Sequence, residues 1–187
     1  TTKIDFDKLR FGKLVIATDA DCFTGDTKVK MLDGTCKTFE ELVEMEKENP
    51  NQIYWVYSCD ENGKVVPGKG VRPRITTYKD KIYHVELDNG DIIKCTDNHR
   101  FMLRDGSYKE AQYLEVDEEI MSLLYNHKVK SVTIEYLEEK MPMYDITVEE
   151  YHNFSLELSD GSGIFVHNCD GFHIQCLVLT MIYRLMP

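Results

Sequence analysis

The sequence has no run of apolar residues long enough to cross a bilayer. Its longest apolar stretch, residues 174–186, is interrupted by Gln175, Thr180 and Arg184, whereas a spanning helix needs about 20 consecutive apolar residues. Residues 1–21 also lack the long apolar segment after a basic start that marks an export signal. From these two absences we expect a cytoplasmic protein that does not associate with membranes.

The six cysteines include no CxxC pair and no zinc-finger spacing. Together with the missing export signal, this pattern indicates a reducing compartment rather than a disulfide framework. Cys36, Cys59 and Cys95 fall in strand-like segments, and we expect them to act as small buried hydrophobes. The sequence therefore predicts no cofactor, and no metal ion in the chain as it stands.

The central segment of the chain is acidic. The chain carries 22 Lys and Arg against 33 Asp and Glu, a net charge of −11. Residues 1–21 and residues 169–187 are each neutral, so residues 22–168 carry the whole negative charge. A segment with this charge repels phosphates. The simplest interpretation of the charge is a solvated acidic surface. We expect no nucleic-acid partner for this central segment.

The chain divides into three segments of different character. Residues 1–21 end in a short apolar strand, Lys13–Ala17, and residues 169–187 carry apolar side chains at helical spacing between Ile174 and Leu185. Neither tail has a surface of its own against which to bury that apolar face. Residues 22–168 contain many β-branched and aromatic runs separated by Gly and Asn turns, which is typical of an all-β domain.

Local patterns predict individual elements of this middle segment. Thr38 and Glu41 form a capping-box pattern that opens a helix ending before Pro50. Asp88-Asn89-Gly90 joins two alternating strands and is compatible with a type I′ turn. Residues 108–114 are predicted to form a second short helix. Strands are predicted over residues 27–32, 53–59, 81–87, 91–96, 128–137, 143–148, 153–158 and 164–167.

The boundaries of the middle segment carry reactive residues. Cys22 opens it, and His167-Asn168 close it immediately before Cys169. An asparagine side chain is able to attack its own backbone carbonyl, cyclise and release whatever follows it. A thiol next to that asparagine is able to hold an acyl group in the meantime. The arrangement therefore predicts a chain that excises its own middle and joins its flanks.

Four short motifs occur in order along this segment. They are Cys22-Phe23-Thr24-Gly25-Asp26-Thr27-Lys28-Val29, Thr96-Asp97-Asn98-His99-Arg100-Phe101, the stretch Tyr144–Phe154 with Asp145 seven residues before His152, and Val166-His167-Asn168-Cys169. Each is weak alone, but their order and spacing resemble those of the inteins, a family of self-splicing proteins. The resemblance implies the HINT fold for residues 22–168, a horseshoe of β-hairpins with one or two short helices.

The resemblance also implies a role for each residue of the first junction. Cys22 attacks the carbonyl of Asp21 and exchanges an amide for a thioester, which requires an activated thiol. His99 acts as a general acid toward the leaving nitrogen. Thr96 holds either His99 or the scissile carbonyl by a hydrogen bond. Cys169 then takes the acyl group from the first thiol.

At the second junction Asp145 is implied to couple the two thiols by moving a proton. Asn168 then cyclises to a succinimide, while His152 and His167 polarise the last peptide bond and stabilise the oxyanion. A sulfur-to-nitrogen acyl shift joins the flanks through an amide. The domain acts once, in cis, so we expect a monomeric autocatalyst rather than a turnover enzyme. Residues 102–142 are too few to contain a homing endonuclease, which implies a mini-intein.

Some of these residues also have plainer interpretations. Asp145 would serve as a carboxylate at the end of a strand or in a turn, and Thr96 as an ordinary strand residue. His84, His127 and His173 lie outside the motifs and receive no role.

The flanks carry a resemblance of their own. Joining residues 1–21 to residues 169–187 gives LRFGKLVIATDAD-CDGFHIQCLVLTMIYRLMP, which resembles the TOPRIM segment of type II topoisomerases such as the gyrase B subunit. Asp19, Asp21 and Asp170 fall on the acidic positions that hold Mg²⁺ in that family, which implies a metal site only in the complete, ligated host. Because the insertion splits this triad, we expect an inactive topoisomerase before splicing.

Two rival functions remain open from the sequence. In Hedgehog-type autoprocessing an outside alcohol takes the thioester, a reaction that needs neither Asn168 nor Cys169. In a nucleic-acid enzyme the acidic residues of the tails would be the active part. The sequence also predicts a side reaction, in which the Asp21 carboxylate attacks the adjacent thioester and releases the N-terminal tail without ligation.

Overall fold

A computed structural model describes residues 21–168, which form two six-stranded antiparallel sheets and one α-helix. This architecture confirms the all-β prediction. The helix α1 is Phe39–Glu48. The strands are β1 Phe23–Thr24, β2 Lys28–Lys30, β3 Cys36–Thr38, β4 Tyr54–Cys59, β5 Val65–Leu87, β6 Ile92–Cys95, β7 Arg100–Met102, β8 Tyr108–Glu110, β9 Glu119–Ile120, β10 His127–Glu149, β11 Asn153–Glu157 and β12 Gly163–His167.

The first sheet has the order β4-β5-β6-β1-β10-β9, and β5 also pairs directly with β10. Strand β1 is short but central, since Phe23 pairs with Cys95 of β6 on one side and with Tyr144 of β10 on the other. Because β5 pairs with both β6 and β10, four strands close on themselves with β1 among them. Cys22 immediately precedes this strand and is therefore held inside the fold.

The second sheet has the order β3-β2-β11-β12-β7-β8. Val166 of β12 pairs with Phe154 of β11 and with Phe101 of β7. Strand β7 follows His99 directly in the chain. This sheet therefore brings the last described residues next to the turn that leads from β6 into β7.

The long strands β5 and β10 differ from the sequence prediction. They pair antiparallel from Leu87↔Val129 to Lys69↔Glu149, with register shifts, one of them between Tyr136 and Met141. The predicted strands over residues 128–137 and 143–148 are thus parts of one strand. The intervening polar run and Pro142 interrupt the alternation in sequence, but a bulge against a continuous partner accommodates them. The first half of β5 was not predicted.

Two local predictions were wrong in detail. Residues 108–114 do not form a helix: Tyr108–Glu110 pairs with β7 as strand β8, and only Ala111–Tyr113 makes a 3₁₀ turn. In the β5–β6 hairpin Gly90 has a φ of 90°, but Asn89 does not have a positive φ. The connection is therefore a longer loop with a left-handed glycine rather than a type I′ turn.

The predicted helix is confirmed with its cap. The Thr38 hydroxyl accepts from the Glu41 amide at 3.1 Å, and the Thr38 amide donates to the Glu41 carboxylate at 2.8 Å. The buried face of α1 presents Phe39, whose ring stacks 5.7 Å from Phe23 and packs edge-on against Phe154. Capping thus fixes the start of a helix that supports β1.

Several predictions fall outside the described residues, namely the strand Lys13–Ala17, the helix near Ile174–Leu185, and the positions of Asp19, Cys169 and Asp170. Within residues 21–168, no helix combines the length and the apolar character needed to traverse a membrane. The same residues contain no group of three metal-ligating side chains. Cys59 and Cys95 are buried free thiols and Cys36 is a partly buried one, all three in strands, as expected of small hydrophobes.

Asn153 ties the two sheets together. Its side-chain amide accepts from the backbone N–H of Cys59 and donates to the carbonyl of the same residue, both at 2.8 Å. The Ser58 hydroxyl donates to the backbone carbonyl of Asn153 at 2.7 Å. All three residues are buried. This cross-link therefore sets the position of the chain that directly precedes β11, including His152.

We expect Asn153→Ala to lower the free energy of unfolding by roughly 2–4 kcal/mol, because it leaves the buried polar backbone of Cys59 without partners. Urea unfolding checks this in a chain carrying Cys22→Ala and Asn168→Ala, so that the backbone stays intact. Asn62→Ala, in an exposed turn, is the matched control and should change stability by less than about 0.5 kcal/mol. An equal effect of both substitutions would contradict the assignment.

Candidate active site

The first predicted junction is the peptide bond between Asp21 and Cys22. Cys22 is fully buried, and its backbone N–H donates to the Thr96 hydroxyl at 3.0 Å. The Cys22 carbonyl accepts from the Thr96 backbone N–H at 2.9 Å. Thr96 therefore holds the nitrogen of the scissile bond, rather than its carbonyl or the His99 ring as the sequence suggested. Thr96 is linked to His99 through the backbone, by an N–H to carbonyl bond of 3.2 Å.

The Cys22 thiol lies against a residue that sequence reasoning missed. Its Sγ is 2.6 Å from the Thr76 hydroxyl oxygen, and that hydroxyl donates to the Met143 carbonyl at 3.0 Å. Since the hydroxyl proton is directed to Met143, the oxygen accepts from the thiol. Thr76 lies in the half of β5 that was not predicted as a strand, and no motif marks it.

His99 is fully buried beside the first junction. Its ring centroid lies 3.9 Å from that of Phe23 and 5.8 Å from that of Phe101. Burial lowers the pKa of His99 to about 3, the nearby His167 contributes to the lowering, and the backbone of Asp21 acts in the opposite direction. His99 is therefore neutral at pH 7, and it faces the backbone of the residue whose carbonyl Cys22 must attack.

The second junction is built around His167. Its Nδ1 lies 2.5 Å from the carbonyl oxygen of Asn168, which belongs to the peptide bond leading to Cys169. The same nitrogen lies 2.9 Å from the Arg100 guanidinium. When protonated, Nδ1 donates to the carbonyl; when deprotonated, it accepts from Arg100. One ring nitrogen is thus poised between a proton donor and the oxygen of the scissile bond.

His152 is exposed and has a left-handed backbone, with a φ of 55°. Its carbonyl accepts from the Asn168 backbone N–H at 2.9 Å. Its ring stacks on that of His167, with centroids 6.5 Å apart and planes 16° from parallel. The two histidines predicted for the second junction are therefore adjacent, and Asn168, only 1% exposed, is held by both neighbours. Cys169 lies outside the described residues.

Arg100 joins the two junctions and was not predicted. Its Nε lies 3.5 Å from the Asp21 carboxylate, and its Nη2 contacts His167. A single guanidinium thus reaches the residue before the first scissile bond and the residue before Asn168. Its sequence signal is only its position directly after His99 in the second motif, where the resemblance implied no role for it.

Asp145 lies inside strand β10, directly after the Tyr144 that pairs with Phe23. It is fully buried, and its carboxylate is 3.9 Å from the Arg74 guanidinium. The interpretation of Asp145 as a carboxylate at a strand end or in a turn does not fit this position. A carboxylate buried in mid-strand is costly, and such residues cluster at functional sites.

The fold is that of solved inteins. The PabCDC21-1 intein has a TM-score of 0.65 at 25% identity, covering 80% of this chain and 99% of that one. An Ssp DnaB mini-intein variant has a TM-score of 0.64 at 22% identity, and the match covers 82% of this chain and 98% of that one. A DnaB intein from Synechocystis sp. PCC 6803 has a TM-score of 0.62 at 24% identity, covering 80% and 99%.

Similarity in sequence extends to parts of much longer proteins. The B subunit of DNA gyrase from Synechocystis sp. is 43% identical over 102 residues, 54% of this chain and 9% of that protein. The small subunit of replication factor C from Methanocaldococcus jannaschii is 29% identical over 100 residues, which are 54% of this chain and 5% of that protein. The chain thus spans less than a tenth of the length of these relatives. No family model matches the chain.

Residues 21–168 therefore have the HINT fold of the solved inteins, as the sequence motifs predicted. Mini-inteins are among the solved structures that share this fold.

We expect the buried, neutral His99 to make the fold sensitive to acid. In the unfolded chain its pKa is about 6.5, above the folded value of about 3. Its contribution to stability is therefore complete above pH 6.5 and is lost as the pH falls toward 3, by an amount on the order of a few kcal/mol. Urea unfolding across this range, compared with His99→Gln, measures the loss.

The same pKa predicts that the His99 ring does not titrate between pH 5 and 8 in NMR spectra of the intact chain. A His99 resonance that titrates near pH 6.5 would contradict both the burial of the ring and its neutral form at pH 7.

Proposed function

We propose that residues 22–168 excise themselves and join residues 1–21 to residues 169–187. The observation that carries this proposal is the contact of Arg100 with Asp21 at one junction and with His167 at the other. Transfer of an acyl group between two thiols requires that both scissile bonds share one site. The guanidinium brings the two junctions within reach of one side chain.

In the first step the Cys22 sulfur attacks the Asp21 carbonyl, a C–S bond forms and the C–N bond breaks. The thiol proton, which lies against the Thr76 oxygen before the reaction, ends on the departing nitrogen. Thr96 holds this nitrogen through its N–H. His99 is neutral before the reaction because of its low pKa, so it must take up a proton before it gives one to the nitrogen in the general-acid role that the sequence predicts.

In the second step Cys169 attacks the thioester and Cys22 leaves as a thiolate. Asp145 accepts the proton of the attacking thiol and delivers it to the leaving one. The carboxylate is fully buried in β10 and lies 3.9 Å from the Arg74 guanidinium.

In the third step the Asn168 side-chain nitrogen attacks the Asn168 carbonyl, and the bond to Cys169 breaks with a proton passing to the departing amine. His167 donates a hydrogen bond to the carbonyl oxygen as negative charge develops there. His152 holds the Asn168 backbone and packs on the His167 ring. The remaining thioester rearranges to an amide without further help.

We also propose that the host is a component of a type II topoisomerase and that 1–21, 22–168 and 169–187 are flank, intein and flank. The similarity to the gyrase B subunit and the TOPRIM-like sequence of the joined flanks support this assignment. The stretches shared with gyrase and with replication factor C are each longer than the two flanks together. Both therefore include part of residues 22–168, as expected of one insert in different hosts. The intein acts as a cytoplasmic monomer and does not bind nucleic acid itself.

Splicing predicts two products from the reduced chain, the ligated flanks and the released residues 22–168, both resolved by mass spectrometry. Asn168→Ala should stop C-terminal release but leave a thioester that added thiol cleaves, and Cys22→Ala should abolish that thioester. Cys36→Ala, a thiol in β3 away from the junctions, is the matched control and should splice at the rate of the unaltered chain. A reduced chain that stays whole would overturn the proposal.

The host assignment is tested separately with the full-length host protein. Because the insertion separates Asp21 from Asp170, the host carrying Cys22→Ala and Asn168→Ala should not cleave supercoiled DNA in the presence of Mg²⁺. The spliced host should cleave it. Cleavage by the unspliced form would show that the acidic residues do not need to be brought together.

A further inference from the structure

We infer that Asn98 and Arg100 form a binding site for the carboxylate of Asp21, the last residue of the N-terminal flank. The site rests on the proposed splicing function and extends it. It selects an aspartate at this position and keeps the carboxylate away from the thioester. Neither residue has a role in the sequence motifs.

Both carboxylate oxygens of Asp21 are engaged. The Asn98 side-chain nitrogen donates to one oxygen at 2.7 Å, and the Arg100 Nε lies 3.5 Å from the other. The Asp21 side chain is only 14% exposed. The contact combines a directed hydrogen bond with a charge, a pairing that favours a carboxylate over a neutral side chain.

The turn that carries Asn98 is held before any substrate chemistry begins. The backbone N–H of Asn98 donates to the Asp97 carboxylate at 3.1 Å. The backbone N–H of Ala111 donates to the His99 carbonyl at 2.8 Å, and that of Gln112 donates to the Asp97 carbonyl at 2.9 Å. These bonds fix the backbone between β6 and β7. The backbone that carries the Asn98 side chain is therefore held by contacts that do not involve Asp21.

The chemistry gives this contact a purpose. In the thioester, a free Asp21 carboxylate oxygen attacks its own carbonyl carbon, a five-membered cyclic anhydride forms, and the C–S bond breaks with loss of the Cys22 thiolate. Residues 1–21 are thereby released as the anhydride, and water then opens it to give two carboxyl groups at the terminal aspartate. Ring closure requires the carboxylate to turn toward the carbonyl, and the contacts with Asn98 and Arg100 oppose that rotation.

The test measures the ratio of released residues 1–21 to ligated product by mass spectrometry. We expect Asn98→Ala to raise this ratio about tenfold, the factor that corresponds to losing one hydrogen bond to a charged group. In a chain carrying Asp21→Ala, which has no carboxylate to attack, Asn98→Ala should leave the ratio unchanged. This double-mutant cycle isolates the contact. Asn62→Ala, an asparagine in an exposed turn, is the matched control.

A second variant, Asn98→Asp, distinguishes loss of the contact from misfolding of the Asn98→Ala chain. Asn98→Asp places a carboxylate against Asp21, so ligation should slow about tenfold or more with Asp21. Asp21→Asn should restore it, because the new side-chain amide donates to the new carboxylate. Rescue of this kind requires a direct contact and a folded domain.

The inference is overturned if Asn98→Ala changes the ratio equally with Asp21 and with Asp21→Ala, or if Asp21→Asn does not rescue Asn98→Asp. These outcomes differ from failure of the proposed function, in which the unaltered chain forms neither thioester nor ligated product. A chain that splices with a ratio independent of position 98 refutes only the carboxylate site.

Discussion

The turn between β6 and β7 is the constraint on which the rest of the site depends. Strand β6 pairs with β1, next to Cys22, and strand β7 pairs with β12, next to Asn168. The four residues between them, Thr96–His99, therefore lie between the two ends of the described chain. Backbone pairing in two different sheets converges on this single loop. The chemistry at both junctions follows from that convergence.

The histidines of the site differ in burial and in their contacts. His99 packs between two phenylalanines and loses its affinity for protons, with a pKa of about 3. His167 is buried but lies within hydrogen-bond distance of a guanidinium and a carbonyl oxygen, and His152 is exposed beside it. The ring at the first junction is therefore neutral, whereas polar partners orient the His167 ring at the second. The same residue type has different properties at the two junctions because its surroundings differ.

Much of the fold and of the site follows from local sequence. The capping box of α1, the hairpin between β5 and β6, and the motif residues Cys22, His99 and Asn168 are all recognisable from short stretches of the chain. The misses share a physical origin. Thr76 and the first half of β5 have no local pattern, because their strand exists through pairing with β10. Residues 108–114 form a strand and a 3₁₀ turn because β7 offers a partner edge.

The sequence by itself determined the reactive groups, their order along the chain and the all-β class, because these depend on side-chain chemistry and on short-range periodicity. Only the tertiary structure decided that Thr96 bonds the scissile nitrogen, that His99 is neutral, and that Arg100 spans both junctions. Each of these depends on distances and burial between residues far apart in the chain. Such contacts arise from the closure of two sheets and leave no local trace in the sequence.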